Sequence, residues 1–439
     1  MALKFETGTL TSPGATGNQT VSLVDTGFGT VKAIRLWGTY ETAEGDVDGD
    51  GIFCIGFGTF RGSVVQQHVA AYFADDANSV SDTARCSRSD GILRGFSAAT
   101  PTVDFAAALV SLGDAQFVIN WTDLPATASI KFHYEAWGGS DVTDAMVVTF
   151  NPIAGTAPFT QDVTVATGFG KPDLLLAIAA DSATGTDADV AGTAAIVFGV
   201  GKSDTEHGCS SFVNVDGQGS MALGVSQEAS FLQLLGSHTF YRFDCDLAAR
   251  ADWPTDGFRL AHNGDIADPN TGRVGALALR GTFTSVIGSG LAPITGTPPV
   301  TQDLAVGQTP RGAIFFHNTL AAGAGIVAAG ADLGTFGIGS IDGTREGWSG
   351  TGDDDAAPVS ATHRHHSESK AIRMFTPGAA GTLTSEADGS FSGNNVRLSW
   401  NDIDTVEREY RYVLLGDGVA AGSLILPNRA RSVAGQLGR

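Results

Sequence analysis

Basic residues are scarce in this sequence. Its 439 residues hold 26 Lys and Arg against 47 Asp and Glu, a formal net charge of −21, whereas a surface for nucleic acid needs a basic stripe to displace counterions. No nucleic-acid partner is expected. Long apolar runs are lacking as well: the most apolar stretch, PDLLLAIAA from Pro172, is far shorter than the roughly 20 residues that cross a bilayer. No membrane is expected either. The opening MALKFETG has no apolar signal-peptide core, so the expectation is a chain made and kept in a cytosol. Only four cysteines occur, Cys54, Cys86, Cys209 and Cys245, without a C-x-x-C pair, which makes reduced, partly buried thiols the default over a disulfide or zinc framework. Charged residues are only 17% of the chain, too few for the Lys- and Glu-rich faces of amphipathic helices.

What is plentiful points to strands. There are 58 glycines and 25 phenylalanines, and hydrophobic residues make up 42%, a composition of short strands joined by tight turns. The chain is too long for one ordinary core.

Internal repetition organises it. A strand, a turn and a second strand recur as GNQTVSLVDTGFGTVKAIRLW from Gly17, PFTQDVTVATGFGKPDLLLAI from Pro158 and PVTQDLAVGQTPRGAIFF from Pro299. Strands with paired glycines follow, CIGFG at Cys54, VFGVG at Val197 and FGIGS at Phe336, where the missing side chains let another backbone or ring come close. FVINWTD, FRLAHNGD and VRLSWND close the units, with Asp123, Asp265 and Asp402 as turn residues and Asn263 set against Trp121 and Trp400. Alternation such as Phe117, Ile119, Trp121 gives half-buried strands, with at most a helical turn in VVQQHVAAYF. The expectation is an all-β chain of three tandem antiparallel β-sandwich, jelly-roll-like domains at 1–145, 146–288 and 289–418, then a basic C-terminal arm at 419–439. Arg429, Arg431 and Arg439 make that arm a candidate docking segment for an acidic neighbour.

Candidate chemistry is sparse. DVDGDG places Asp46, Asp48 and Asp50 at the alternating spacing of calcium loops, with Gly51 at the turn, but Phe57 stands where the closing Glu of a full site belongs. These three are the candidate calcium ligands, the alternative being an acidic hairpin tip. DADVAG and GAGIVAAGAD occupy the same place in the other units. His363, His365 and His366 read as a metal cluster or as a polar strand at an interface, and Trp348 in EGWSGTG as the one Trp with a case for exposure. A G-x-S-x-G elbow, an H-E-x-x-H pair and a P-loop are missing, and no catalytic set is assigned.

The succession of GFGTVKAIRLWG, DGDGIFCIGFGT, a polar strand such as TARCSRSDGIL or ATHRHHSESKAI, and FVINWTD before a closing apolar strand resembles tandem-repeat β-domain structural proteins of tailed-bacteriophage virions. The resemblance covers nearly the whole chain, once per unit. It implies a non-enzymatic virion component assembled in the host bacterial cytoplasm. The expected role is a capsid decoration protein on the head surface, attached through its tandem domains and basic arm, with the major capsid protein or tail proteins as partners and self-association left open. The alternative is a tail-associated adhesin recognising host glycan or protein, or a tail connector component.

Overall fold

The computed structural model describes residues 2–418 apart from 76–81, 128, 182–184, 217–222, 238–239, 267–271, 322–326, 329–332, 355–360 and 377–380. In a few further stretches, among them 46–48 and 223–228, only the backbone is described. Among the described residues there is no α-helix. Six antiparallel sheets form three sandwiches, each of one seven-stranded and one four-stranded sheet.

In the first unit the larger sheet runs Leu3–Thr11, Lys131–Gly139, Val31–Gly38, Gly51–Arg61, Val64–Ala74, Thr83–Arg88, and the smaller runs Gly17–Ser22, Gln116–Asp123, Val103–Gly113, Leu93–Phe96. The other two units repeat this order. The stretch VVQQHVAAYF, with its candidate helical turn, lies within the strand Val64–Ala74, hydrogen-bonded on both sides. Strand pairing holds it extended where periodicity alone is ambiguous. Val142–Phe150 pairs with Gly272–Gly281, and Thr284–Leu291 with Arg408–Gly416. The junctions between units therefore fall just before Val142 and just before Thr284, a few residues ahead of the expected 145 and 288.

The seventh strand of each larger sheet comes from a different unit. Asp189–Ala191 of the second unit adds to the first unit's Thr83–Arg88. Val327–Ala328 of the third adds to Leu223–Glu228 of the second. Gly45–Asp48 of the first adds to Ala361–Ser367 of the third. The donations run second to first, third to second and first to third, so the three units close into a ring with pseudo-threefold symmetry. Each donated strand also covers a sheet edge that would otherwise stand open.

Burial explains the two kinds of strand. The larger sheets face the pseudo-axis on one side and their own small sheet on the other: Ala33 and Trp37 join a core shared by all three units, while Ile34 and Leu36 join the first sandwich. Strands buried on both faces read as continuous apolar runs, as in GIFCIGFGTF and LLLAIAAD. The small sheets have one wet face and alternate. The paired glycines are packing sites: a Cβ on Gly56, Gly199 or Gly339 would lie 2.0 Å from the carbonyl oxygen of Ile92, Phe231 or Ala371 respectively. Only glycine lets the chain cross from large to small sheet at that distance.

Candidate interaction surfaces

The strand registers place like ends of the units together. At one end lie the first and last strand residues, Leu3 and Gly416, the two-residue junctions, and short turns such as Arg61 to Val64. There Leu3 N donates to Asp417 Oδ1 (3.1 Å) and Gly418 N to Asp141 Oδ2 (2.9 Å). Cations and carboxylates alternate at this end, in pairs such as Lys4–Asp25 (2.7 Å), Arg250–Asp173 (2.5 Å) and Arg311–Asp417 (2.6 Å). The opposite end carries the longer connections and is mainly acidic, with Glu41, Glu44, Asp50, Asp75, Asp82 and Asp123 from the first unit alone. Charge is therefore polarised along the pseudo-axis.

The acidic motifs lie in the donated strands. Asp46 and Asp48 are strand residues whose backbone pairs with His365 and His363 of the third unit, and Asp50 follows in the turn. The side chains of Asp46 and Asp48 lie outside the described residues. The motif thus forms an edge strand paired across units, with Asp50 just beyond it. In the second unit the matching acids hold the first: Asp189 takes a bidentate pair of bonds from Arg94, and Asp187 accepts from the backbone N (2.7 Å) and hydroxyl (2.8 Å) of Ser89. Among the described residues no three His, Cys, Asp or Glu side chains converge in a metal-holding group. Arg429, Arg431 and Arg439 lie outside the described residues.

The histidine cluster sits at the interface between the third and first units. His363, His365 and His366 are all buried, and His366 stacks on His133 of the first unit with centroids 4.4 Å apart. Burial holds His365 well below the ordinary histidine range and brings His366 down to about 4. A buried, neutral, ring-stacked imidazole is a packing element. Trp348, expected to have a case for exposure, is fully buried, its Nε1 3.2 Å from His317 Nε2. Its strand Glu346–Asp354 is buried on both faces, unlike the glycine-rich loop its neighbours suggested. The four thiols are free and fully buried rather than partly so, with burial pushing Cys54 up to about 12.

Among the described residues, clefts open between units. One of about 330 Å³ lies between the third and first and is lined by Lys4, Asp25, Arg311, Arg345 and Phe391; its counterpart of about 230 Å³ lies between the first and second. Each cation of the larger cleft already faces a carboxylate: Lys4 faces Asp25, Arg311 faces Asp417, and Arg345 faces Glu6 and Asp342.

The shared Gln of the repeat, Gln19, Gln161 and Gln302, ties small sheet to large. Gln19 accepts from Trp121 Nε1 (2.7 Å) and donates to Thr11 O (2.9 Å). Gln302 accepts from Trp400 Nε1 (3.2 Å) and Tyr410 OH (2.8 Å). In the second unit Gln161 meets His262 at 3.2 Å. His262, not Asn263, therefore holds the place of Trp121 and Trp400; an extra residue before Asp265 displaces the motif by one. The sequence shows this Gln as a recurring residue and gives no sign of its role. It likewise gives no sign of two buried clamps between units: Arg85 donates to the carbonyls of Asp181, Ala191 and Gly192 in the second unit, and Arg364 of the third pairs with Glu41 of the first (2.9 Å).

Comparison with family models, with curated proteins and with solved structures finds no match to this chain.

Proposed function

We propose that this chain is a non-enzymatic structural protein of a bacteriophage virion, decorating the head surface, with its charge-balanced end against the shell and its acidic, loop-rich end toward solvent. The observation that carries the reading is the polarised ring. A single chain that gathers three similar units about one axis offers three similar surfaces on one face, which suits a partner arranged with threefold or quasi-threefold symmetry. Three weak contacts made together add through effective concentration and need no strong individual site. The segment bearing Arg429, Arg431 and Arg439 continues from Gly418, at the balanced end, where it can reach an acidic neighbour in the shell. The net charge of −21 on the whole chain favours solubility before assembly.

The test is electron microscopy of purified particles, with the three-unit ring fitted to outer density. Copies spread over the shell with the chain-end face inward support the reading. Copies confined to the tail overturn it in favour of an adhesin or connector.

A further inference from the structure

Each unit touches its neighbours through two different faces, and the residues in equivalent registers on those faces are unequal in size. One layer is set by the positions of His68, Gly208 and Gly347 on the outgoing face, paired in register with Phe57, Val200 and Ser340. On the incoming face the matching positions are His133, Gly275 and Arg411, paired with Trp37, Ile178 and Phe316. Across the three interfaces a large side chain always meets a glycine. A Cβ on Gly275 would lie 2.2 Å from the His68 ring, one on Gly347 2.4 Å from His133, and one on Gly208 2.6 Å from Arg411. The first unit thus carries large residues on both faces, the second carries glycine on both, and the third carries one of each.

A second layer repeats the logic. Ala33, Leu174 and Gly312 are equivalent on one face, and Phe5, Ala145 and Ser285 on the other. At the interface from third to first unit the small residue again meets the large one, Gly312 against Phe5. A Cβ on Gly312 would lie 2.2 Å from the Phe5 ring.

We infer that the interfaces are keyed: the large outgoing face of the first unit fits only the glycine face of the second, which fixes their order in the ring and disfavours pairing of the first or second unit with a copy of itself. Two first units side by side would set His68 against His133 and overfill the site. Two second units would set Gly208 against Gly275 and leave a void. Overpacking and cavities are both destabilising in a close-packed interior, so homotypic pairing between chains is disfavoured at the first and second units. The interface from third to first has no covalent junction, and the Gly347–His133 and Gly312–Phe5 keys sit there. The same keys fit in cis and in trans, and the covalent links between units favour closure within one chain by holding the matching faces at high effective concentration.

The test is a double-mutant cycle in the full chain, read by denaturant midpoint and by molar mass from light scattering. Gly275→Ala alone should lower the folding constant at least tenfold and give mixed oligomers, because the ring has been forced open between first and second units. Adding His68→Gly should return most of the loss and restore a monomer. If Gly275→Ala yields no soluble protein, recovery of soluble monomer in the double variant supports the keys, and failure to recover overturns them. Additive losses, an unaffected Gly275→Ala chain, or a native chain that is not a monomer would each overturn the inference. The same cycle at the closing interface, Gly347→Ala with His133→Gly, should behave alike.

Discussion

Arg35 and Glu135 face each other across neighbouring strands with neither side chain exposed at all. The equivalent registers hold Leu176 with Leu277 in the second unit and Ile314 with Val413 in the third. The first unit alone carries an ion pair at this depth, and the Arg35 guanidinium lies over Trp37 (4.4 Å) and over Phe198 of the second unit (5.1 Å). Burying two charges costs solvation that offsets much of their attraction, so the pair is weak evidence of stability by itself. Changing Glu135→Leu alone should destabilise by about 3–5 kcal/mol, because it strands a buried guanidinium. The double change to Leu at both positions should cost under about 1 kcal/mol or stabilise. Equilibrium unfolding in guanidinium chloride separates the two outcomes.

The crossing glycines allow a second test. Gly199→Ala puts a methyl 2.0 Å from the carbonyl oxygen of Phe231, and a backbone atom cannot rotate away. The expected loss is about 1–3 kcal/mol or more. Gly14→Ala, with nothing within 4 Å of its Cβ position, should be within about 0.5 kcal/mol of the parent. Comparable thermal shifts for the two variants would contradict the packing role.

Gln302→Ala removes the acceptor used by Trp400 and Tyr410, both fully buried. Leaving two buried donors unmet should cost about 1–3 kcal/mol. Tryptophan fluorescence during urea unfolding would report the loss and its local origin at Trp400.

Acid should open the ring. Unfolded imidazoles titrate near 6.5, but burial, joined by the nearby Arg273, brings His68 down to about 3, and burial brings His317 and His366 to about 4. The unfolded chain therefore binds more protons between those values and 6.5, so stability rises with pH across that window. The histidine contribution is complete above about 6.5 and is lost as pH falls toward 4. Glu346 acts in the opposite sense: burial raises it to about 8 from 4.5, so its contribution declines as pH rises between those values. Three buried histidines outweigh one carboxyl, and the urea midpoint should fall between pH 6.5 and 4.5. A midpoint that rises on acidification would contradict these assignments.

The strand content and the threefold repetition were legible because strand alternation, glycine spacing and the recurring Gln of GNQTV, FTQDV and VTQDL are local patterns. The two-sided burial of LLLAIAAD was legible as an apolar run, but not what lay on its far side. The donated strands were present in the sequence as the equivalence of DVDGDG, DADVAG and GAGIVAAG. Their acids suggested a loop because a three- or four-residue strand that pairs with another unit has no local signature. Trp348 was misplaced for the same reason: glycines around it signal turns locally, yet they serve close packing against its own ring at Gly337 and Gly350. The keys between units were illegible, since size complementarity between His68 and Gly275 exists only once the ring is closed.

The most direct test of the closed ring is small-angle X-ray scattering from the full chain at pH 7. A compact body of this length has a radius of gyration of about 22 Å, whereas three sandwiches strung in a line give roughly 30 Å or more. The account predicts the former, with a small increment from the C-terminal arm. A value in the upper range at monomeric mass would mean that the units do not close, and would contradict it.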